Sequence, residues 1–440
     1  MPRTGRPRVA LHQPYWDFWE ASVPFDLRAD RDRLAAEVRA QLDVEWVEPK
    51  LAECVLVLET MASPPAWTLA ELPDLPLVVW AAHRRVPVPQ SFDHAAITTQ
   101  GATVGTPMLT SVLVREQRPF ELAVGRIDDP ETLAQVLGAL RGAAAATRLR
   151  GARIARSGRP QPGYACVDTP GELLAAKLGV EVVELAAAEV KAAFDRVTDA
   201  RTRELLDETR QLYSFDFEDE GLTRSLRAAA AIEDLVATHE LAAGAINCHV
   251  PEIRFGGVGV TPCFGLGRSA SAGVPWSCTG DMLTAVALFI GKALGGAAQY
   301  HELETYDYDT GEFVLASSGE HDLDLAPGVR PALVKNAWFA QDDCTGVCAC
   351  FSAPAGPATL LSLADIGGDY RLIAAEGAFS GRTFPSTWTA NAGFRFDRGL
   401  EGWKTWCRLG ANHHSCASPG ALAGSAAACA RYAGMRYGVA

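Results

Sequence analysis

The segments Glu53-Cys-Val-Leu-Val-Leu-Glu59 and Leu77-Val-Val-Trp-Ala81 decide the fold of the first part of the chain. Both are nearly continuous in apolar residues, and a helical stretch over about residues 29–42 precedes them. Pro7-Arg-Val-Ala-Leu-His12 is a further strand candidate. Apolar strands of this kind, alternating with helices, are typical of a parallel sheet that is covered on both faces. We therefore predict an N-terminal α/β domain over residues 1–148.

The same alternation restarts after residue 149 and predicts a central α/β domain over residues 149–297. Strand-like segments at 152–155 and 180–185 are followed by a predicted long helix over 199–242. A segment rich in Gly and Pro, residues 245–280, comes next. A long loop that carries Cys, Arg, Ser and Thr is more often a functional site than a linker.

Beyond residue 298 the pattern changes to short apolar segments at 313–316, 358–363 and 370–374, separated by Gly and Pro. Such punctuation favours an antiparallel sheet or barrel. The predicted fold is therefore α/β, with two doubly wound parallel-sheet domains followed by a mainly antiparallel β domain over residues 298–440.

Composition and charge exclude several classes of function. The chain has 440 residues and a formal net charge of −13, which argues against a nucleic-acid partner. The most apolar stretch, Met282–Leu294, contains Lys292 and is too short to cross a bilayer. The first 16 residues lack the apolar run of a signal peptide, so we expect a cytoplasmic protein.

The 11 cysteines are scattered and read as free thiols in such a compartment. Cys344, Cys348 and Cys350 form a tighter group, but the fourth ligand that a structural zinc site needs is not evident nearby. We interpret this group as structural.

Acidic and histidine residues cluster in the last part of the chain. Glu304 lies in Tyr300–Asp307, His321 ends Ser317–His321, and His414 belongs to Gly410-Ala-Asn-His-His-Ser415. Carboxylate and imidazole together suit Mn²⁺, Co²⁺ or Zn²⁺. Taken alone, the His-His pair also fits a surface loop or a buried core histidine, and Glu304 also fits a solvated acidic stretch.

The order of these clusters resembles the catalytic half of L-arabinose isomerase. The matching motifs are Cys278-Thr-Gly-Asp281, Glu304-Thr-Tyr-Asp-Tyr308, Ser317-Ser-Gly-Glu-His321 and Gly410-Ala-Asn-His-His-Ser415. Cys248-His-Val-Pro-Glu252 is more similar to L-fucose isomerase-like proteins. The resemblance implies one divalent metal ion, Mn²⁺ first and Zn²⁺ or Co²⁺ as alternatives, bound by Glu304, His321 and His414.

The chain departs from that family at two positions. Thr279 stands where the resemblance implies a second metal-binding glutamate, which also moves protons. Thr103 stands where a histidine is expected shortly after Gln100. Catalysis is therefore assigned to Glu304, Asp281 and Thr279. Asp281, Glu252, Glu302 and Glu320 remain open as replacements for the missing acid.

Substrate contacts are predicted from both ends of the chain. His12 and Gln13 follow a predicted strand, and ligands bind at the carboxyl ends of parallel strands. The resemblance implies a homo-oligomer, a trimer or hexamer, in which such residues and Gln100 complete the site of a neighbouring subunit. Trp276 is assigned to stack on a sugar ring, with a simple core position as its alternative.

The expected function is metal-dependent isomerisation of a sugar or sugar derivative through an enediol. Two alternatives stay open, because a fold constrains chemistry only loosely. One is another metal-dependent reaction of a keto-sugar, by an epimerase, hydrolase or lyase. The other is a non-catalytic carbohydrate-binding protein.

Overall fold

The computed structural model describes residues 5–84, 88–337 and 343–440, and the chain forms two compact units. One unit contains Gly5–Arg148 and Gly424–Ala433, and the other contains Leu149–Ala423 and Gly434–Ala440. We call them the small unit and the large unit. The division into domains 1–148, 149–297 and 298–440 stays a prediction.

The strands are β1 (Arg8–His12), β2 (Glu45–Trp46), β3 (Cys54–Glu59), β4 (Leu77–His83), β5 (Phe120–Arg126), β6 (Arg153–Ser157), β7 (Glu181–Glu184), β8 (Ala243–Ile246), β9 (Trp276–Ser277), β10 (Gln299–Asp307), β11 (Glu312–Ala316), β12 (Ala332–Lys335), β13 (Val347–Ser352), β14 (Gly356–Ile366), β15 (Asp369–Phe379), β16 (Ala390–Phe396), β17 (His414–Pro419) and β18 (Arg436–Val439). The helices are α1 (Leu27–Gln41), α2 (Pro65–Glu71), α3 (His94–Thr99), α4 (Ala102–Arg115), α5 (Pro130–Leu149), α6 (Gly171–Leu178), α7 (Ala187–Arg196), α8 (Asp199–Leu212), α9 (Glu220–His239), α10 (Pro251–Ile253), α11 (Cys263–Ser271), α12 (Met282–Gly295), α13 (Gly399–Leu409) and α14 (Ala423–Ala433). None of the helices in the described ranges is both long enough and apolar enough to span a membrane.

The small unit is built on a parallel sheet with strand order β2-β1-β3-β4-β5. Every residue of β3 is buried, which explains why its sequence is apolar without alternation. Val55 and Val57 pack with Leu109 and Leu113 of α4. The ion pair between Arg148 and Glu53, at 2.9 Å, is buried at the start of β3.

The large unit contains two sheets. A four-stranded parallel sheet has the order β7-β6-β8-β9, and a nine-stranded sheet has the order β12-β13-β16-β11-β10-β17-β14-β15-β18. Most neighbours in the larger sheet are antiparallel, whereas β13–β16 and β15–β18 are parallel pairs. The predicted fold class, parallel α/β regions followed by a mainly antiparallel C-terminal sheet, is confirmed.

Helix α12 connects the two sheets of the large unit. It contacts β8 of the parallel sheet as well as β14 and β17 of the larger sheet, and nearly all its side chains are buried. Its one basic residue, Lys292, is also buried and pairs with Asp322 at 2.7 Å. Because α12 is covered all round, the Asp281 cap at its N-terminus is held firmly inside the unit.

The structure corrects one predicted element. The single helix expected over 199–242 is two helices, α8 and α9. Tyr213 ends α8 in an extended conformation, and its side chain is buried. Ser214 then forms a parallel bridge to Ala332. Burial of the aromatic side chain and this bridge outweigh the helix-forming tendency of the surrounding residues.

Candidate active site

A cavity of about 240 Å³ opens in the large unit. It lies where β8 and β9 end, which is the usual place for a ligand in a parallel sheet. Residues that follow these strands meet side chains from β10, β17 and the segment after β11. The lining residues are Tyr164, Cys248, His249, Cys263, Cys278, Thr279, Glu302, Ser318, His413 and His414.

Three of the lining residues form a group that fits a metal ion. The ligand atoms of Glu302, His413 and His414 all lie within 4.8 Å of one another. Glu302 of β10 is directly opposite His414 of β17, so the two side chains project from the same face of the sheet. His413 precedes β17, and its ring centroid is 3.9 Å from that of His414. The imidazole rings of both adjacent histidines therefore lie next to the Glu302 carboxylate.

His414 is oriented from behind by Asp281. Its Nδ1 lies 2.7 Å from Oδ2 of Asp281, and both side chains are fully buried. Asp281 also accepts hydrogen bonds from the backbone N–H and the hydroxyl of Thr284, at 2.8 and 2.6 Å. This arrangement keeps the proton on Nδ1 and leaves Nε2, 3.9 Å from Oε1 of Glu302, for a ligand.

Glu302 is held by two hydroxyl groups. Ser318 and Tyr300 donate to its Oε1 at 2.9 and 3.1 Å. Burial raises the pKa of Tyr300 well above its usual range, so this phenol stays protonated as a donor. These contacts fix the position of the Glu302 side chain at the cavity wall.

Burial also sets the protonation of neighbouring groups. It lowers the pKa of His413, and the adjacent His414 lowers it further. At neutral pH His413 is therefore a neutral imidazole, and one of its ring nitrogens has a lone pair for a cation. Glu320 is not among the lining residues and is only 3% exposed, and this burial raises the pKa of its side chain to about 7.

Thr279 is strained and faces the cavity. Its φ of 53° lies in the left-handed region, which a β-branched residue rarely adopts. Its hydroxyl is buried and has no hydrogen-bond partner among the described residues. Strain of about 1–3 kcal/mol at such a residue is characteristic of functional sites. The unpaired hydroxyl is therefore a candidate contact for substrate.

The predicted ligands Glu304 and His321 are not brought to this cluster. Glu304 sits at an irregularity of β10 between Leu303 and Thr305, and it is exposed. The Nε2 of His321 lies 2.7 Å from the hydroxyl of Tyr213, and burial lowers its pKa to about 3. A β-carbon on Gly267 would lie only 2.0 Å from Nδ1 of His321, so this ring is enclosed by protein.

The predicted substrate contacts lie elsewhere. Trp276 is in the core of the large unit, where its indole N–H donates to the Ser269 hydroxyl at 2.9 Å. His12 ends β1, Gln13 follows it, and Gln100 caps the end of α3, all in the small unit. Of the predicted catalytic residues, Asp281 and Thr279 do reach the site.

Comparison with known proteins gives the context of this cavity. Residues 298–436 match the L-arabinose isomerase C-terminal domain family. The chain is 27% identical to an L-arabinose isomerase from Nocardioides sp., over 72% of this chain and 65% of that protein. It is 25% identical to a sulfoquinovose isomerase from Priestia aryabhattai, over 61% of this chain and 60% of that protein.

The chain is thus similar to L-arabinose isomerases, and the family match lies in its C-terminal part. The matched region spans less than two thirds of the length of either relative. The matched family domain, residues 298–436, includes strands β10 and β17, which carry Glu302 and His414. The residues that line the cavity from the ends of β8 and β9 lie before the matched domain.

Sequence reasoning missed His413 as a member of the cluster and named Glu302 only as a possible acid. Neighbouring residues of an extended chain point to opposite faces, so adjacent histidines are expected to supply one ligand at most. Instead β17 begins at His414, so His413 lies outside the alternation. The cross-strand pairing of Glu302 with His414 has no signal in the sequence.

Proposed function

We propose that the chain is a metal-dependent aldose–ketose isomerase acting on a sugar or a sugar derivative. The observation that carries the proposal is the Glu302, His413 and His414 cluster, which lies in a cavity of sugar size in a relative of sugar isomerases. The named activities of the relatives support the reaction type, and the cluster supports the metal.

The donor set fits a divalent ion. One carboxylate and two neutral imidazoles suit Mn²⁺, and also Zn²⁺ or Co²⁺, with coordination positions left for substrate. Bound there, the ion would polarise the neighbouring carbonyl and hydroxyl oxygens of an open-chain sugar. Asp281 holds His414 in the tautomer that such a ligand requires.

Isomerisation moves a proton between neighbouring carbon atoms, and we assign that transfer to Glu302. Ser318 and Tyr300 both bond its Oε1, so the carboxylate is fixed in place while Oε2 can take up the proton. The Thr279 hydroxyl is proposed to hold a substrate hydroxyl, in place of the acid that the family resemblance implies at that position. The buried Glu320 is the alternative residue for the proton transfer.

We propose a homo-oligomer as well. In that arrangement His12, Gln13 and Gln100 would complete the cavity of a neighbouring subunit. Light scattering combined with activity on dilution tests it. Full activity in a stable monomer would contradict it.

The reaction itself is tested by incubating the manganese-loaded protein with a panel of aldoses and ketoses in D₂O. An enediol route exchanges the transferred proton with solvent, so proton NMR is expected to show aldose–ketose interconversion with deuterium in the product. Interconversion without deuterium would replace the enediol by a hydride shift. A fixed carbon skeleton with inverted stereochemistry, or a change in carbon count, would replace the isomerase proposal by epimerase or lyase chemistry.

A further inference from the structure

Two cysteines line the cavity at the ends of neighbouring strands. Ala245 of β8 is paired in parallel register with Ser277 of β9, and Cys278 follows directly. After β8 the chain turns back, with the His249 N–H bonded to the Asn247 side chain at 3.0 Å. Cys248 lies in this turn. Both thiols line the cavity and are 3% and 4% exposed.

The contacts of the cavity thiols separate this pair from the third cysteine. Hydrogen bonding between their side chains is the largest influence on both thiols, lowering the pKa of Cys248 and raising that of Cys278. Cys263 also lines the cavity, but its Sγ contacts other groups, 3.7 Å from the Ser318 carbonyl and 3.4 Å from the Asn336 amide nitrogen. The pair therefore combines a thiol of lowered pKa with a neighbour of raised pKa, and the two side chains contact each other.

We propose that Cys248 and Cys278 form a reversible redox pair that small hydroperoxides convert to a disulfide. Cys248 is the attacking thiol and Cys278 the resolving thiol. The cavity admits a molecule as small as hydrogen peroxide, and it lies beside exposed residues such as Tyr164 and His413.

The chemistry balances in two steps. The sulfur of Cys248 attacks one oxygen of hydrogen peroxide, the O–O bond breaks, and sulfenic acid and water form. The sulfur of Cys278 then attacks the sulfenic sulfur, which releases a second water and leaves the disulfide. The protein is oxidised by two electrons, and a dithiol such as dithiothreitol returns it to two thiols.

The backbone brings the two cysteines to the same end of the sheet. Cys278 directly follows β9, Cys248 lies two residues beyond the end of β8, and these two strands are neighbours. Gly280 donates its N–H to the Ile246 carbonyl at 3.2 Å, which keeps the two strand ends together. A disulfide here would join the chain segments that carry His249 and Thr279, so oxidation would alter the cavity.

The test uses intact protein in which the exposed Cys166 and Cys407 are replaced by serine, to prevent cross-links between molecules. Hydrogen peroxide is expected to remove the mass of two hydrogen atoms per chain. Trypsin places the two thiols on separate peptides, 228–254 and 269–292, which should appear joined. The peptide 255–268, which holds Cys263, should remain free for alkylation. Dithiothreitol should reverse the change.

The matched variant is Cys278→Ser in the same background. It removes the resolving thiol, so oxidation should stop at a dimedone-reactive sulfenic acid on Cys248. Separate alkylation of both peptides after oxidation of the parent protein would overturn the proposal, as would a cross-link confined to other cysteines. The readout is mass, so the result does not depend on any isomerase activity. The parent protein alone decides the matter if the variant does not fold.

Discussion

Replacing Asp281 by asparagine probes the orientation of His414. The Asp281 carboxylate accepts a hydrogen bond from Nδ1 of His414 at 2.7 Å, in a fully buried setting. The side-chain amide that Asp281→Asn introduces can donate to Nδ1 instead. That exchange would move the ring proton to Nε2, the atom that faces Glu302, and so block the ligand position.

The expected loss follows from this single contact. Removing the carboxylate partner of a metal-binding histidine typically costs about 10–100-fold in metal affinity. That ratio corresponds to about 1.4–2.8 kcal/mol of binding free energy. Folding should change little, because asparagine caps helices about as well as aspartate and can still accept the Thr284 N–H.

The assay is isothermal titration of Mn²⁺ into metal-free wild type and Asp281→Asn, with thermal unfolding of both. Asp93→Asn is the matched control, since Asp93 caps α3 through the Ala96 N–H at 2.9 Å in the small unit. The control should keep wild-type affinity. Equal affinity in Asp281→Asn and wild type would refute the role of this pair.

Three further predictions concern the ligand set and the buried acids. Glu302→Gln should lower Mn²⁺ affinity at least tenfold, while Glu304→Gln on the same strand should leave it unchanged. If titration gives the reverse order, the ligand set implied by the family resemblance would be favoured instead. His321→Phe should leave the metal content unchanged. It should lower the free energy of unfolding by about 1–3 kcal/mol, because the Tyr213 hydroxyl loses its hydrogen-bond partner. Loss of the metal in this variant would show that His321 is a ligand. Burial raises the pKa of Glu59 to about 8, above its unfolded value of about 4.3. Its contribution to the free energy of unfolding is therefore fully present below pH 4 and is lost as the pH rises to 8. Glu59→Gln should flatten the fall of the unfolding temperature over that range, and parallel pH profiles would contradict the burial argument.

The fold was largely predictable because its strongest signal is local. The apolar runs of β3 and β4 are typical of strands that are covered on both faces, and the Gly and Pro pattern after residue 298 predicted the antiparallel sheet. The break between α8 and α9 was not predictable. The break depends on contacts with residues that are distant in the sequence. Tyr213 is buried beside His321, and Ser214 bridges to Ala332.

The site was predictable only in part. Asp281, Thr279 and His414 emerged from motifs, since each lies next to a recognisable helix start or a histidine pair. The position of Glu302 in the cluster could not be foreseen, because it depends on the register of β10 with β17, which places Glu302 opposite His414. The meeting of Cys248 with Cys278 likewise depends on the register of β8 with β9.

The central claim is that a metal ion at Glu302, His413 and His414 supports sugar isomerisation. The most direct measurement follows aldose–ketose interconversion by proton NMR before chelation, after removal of metal by EDTA and dialysis, and after Mn²⁺ is restored. Glu302→Gln is carried through the same cycle. We predict turnover that disappears with the metal, returns with Mn²⁺ and is absent in Glu302→Gln at every stage. Turnover that survives metal removal, or that persists in Glu302→Gln, would contradict the account.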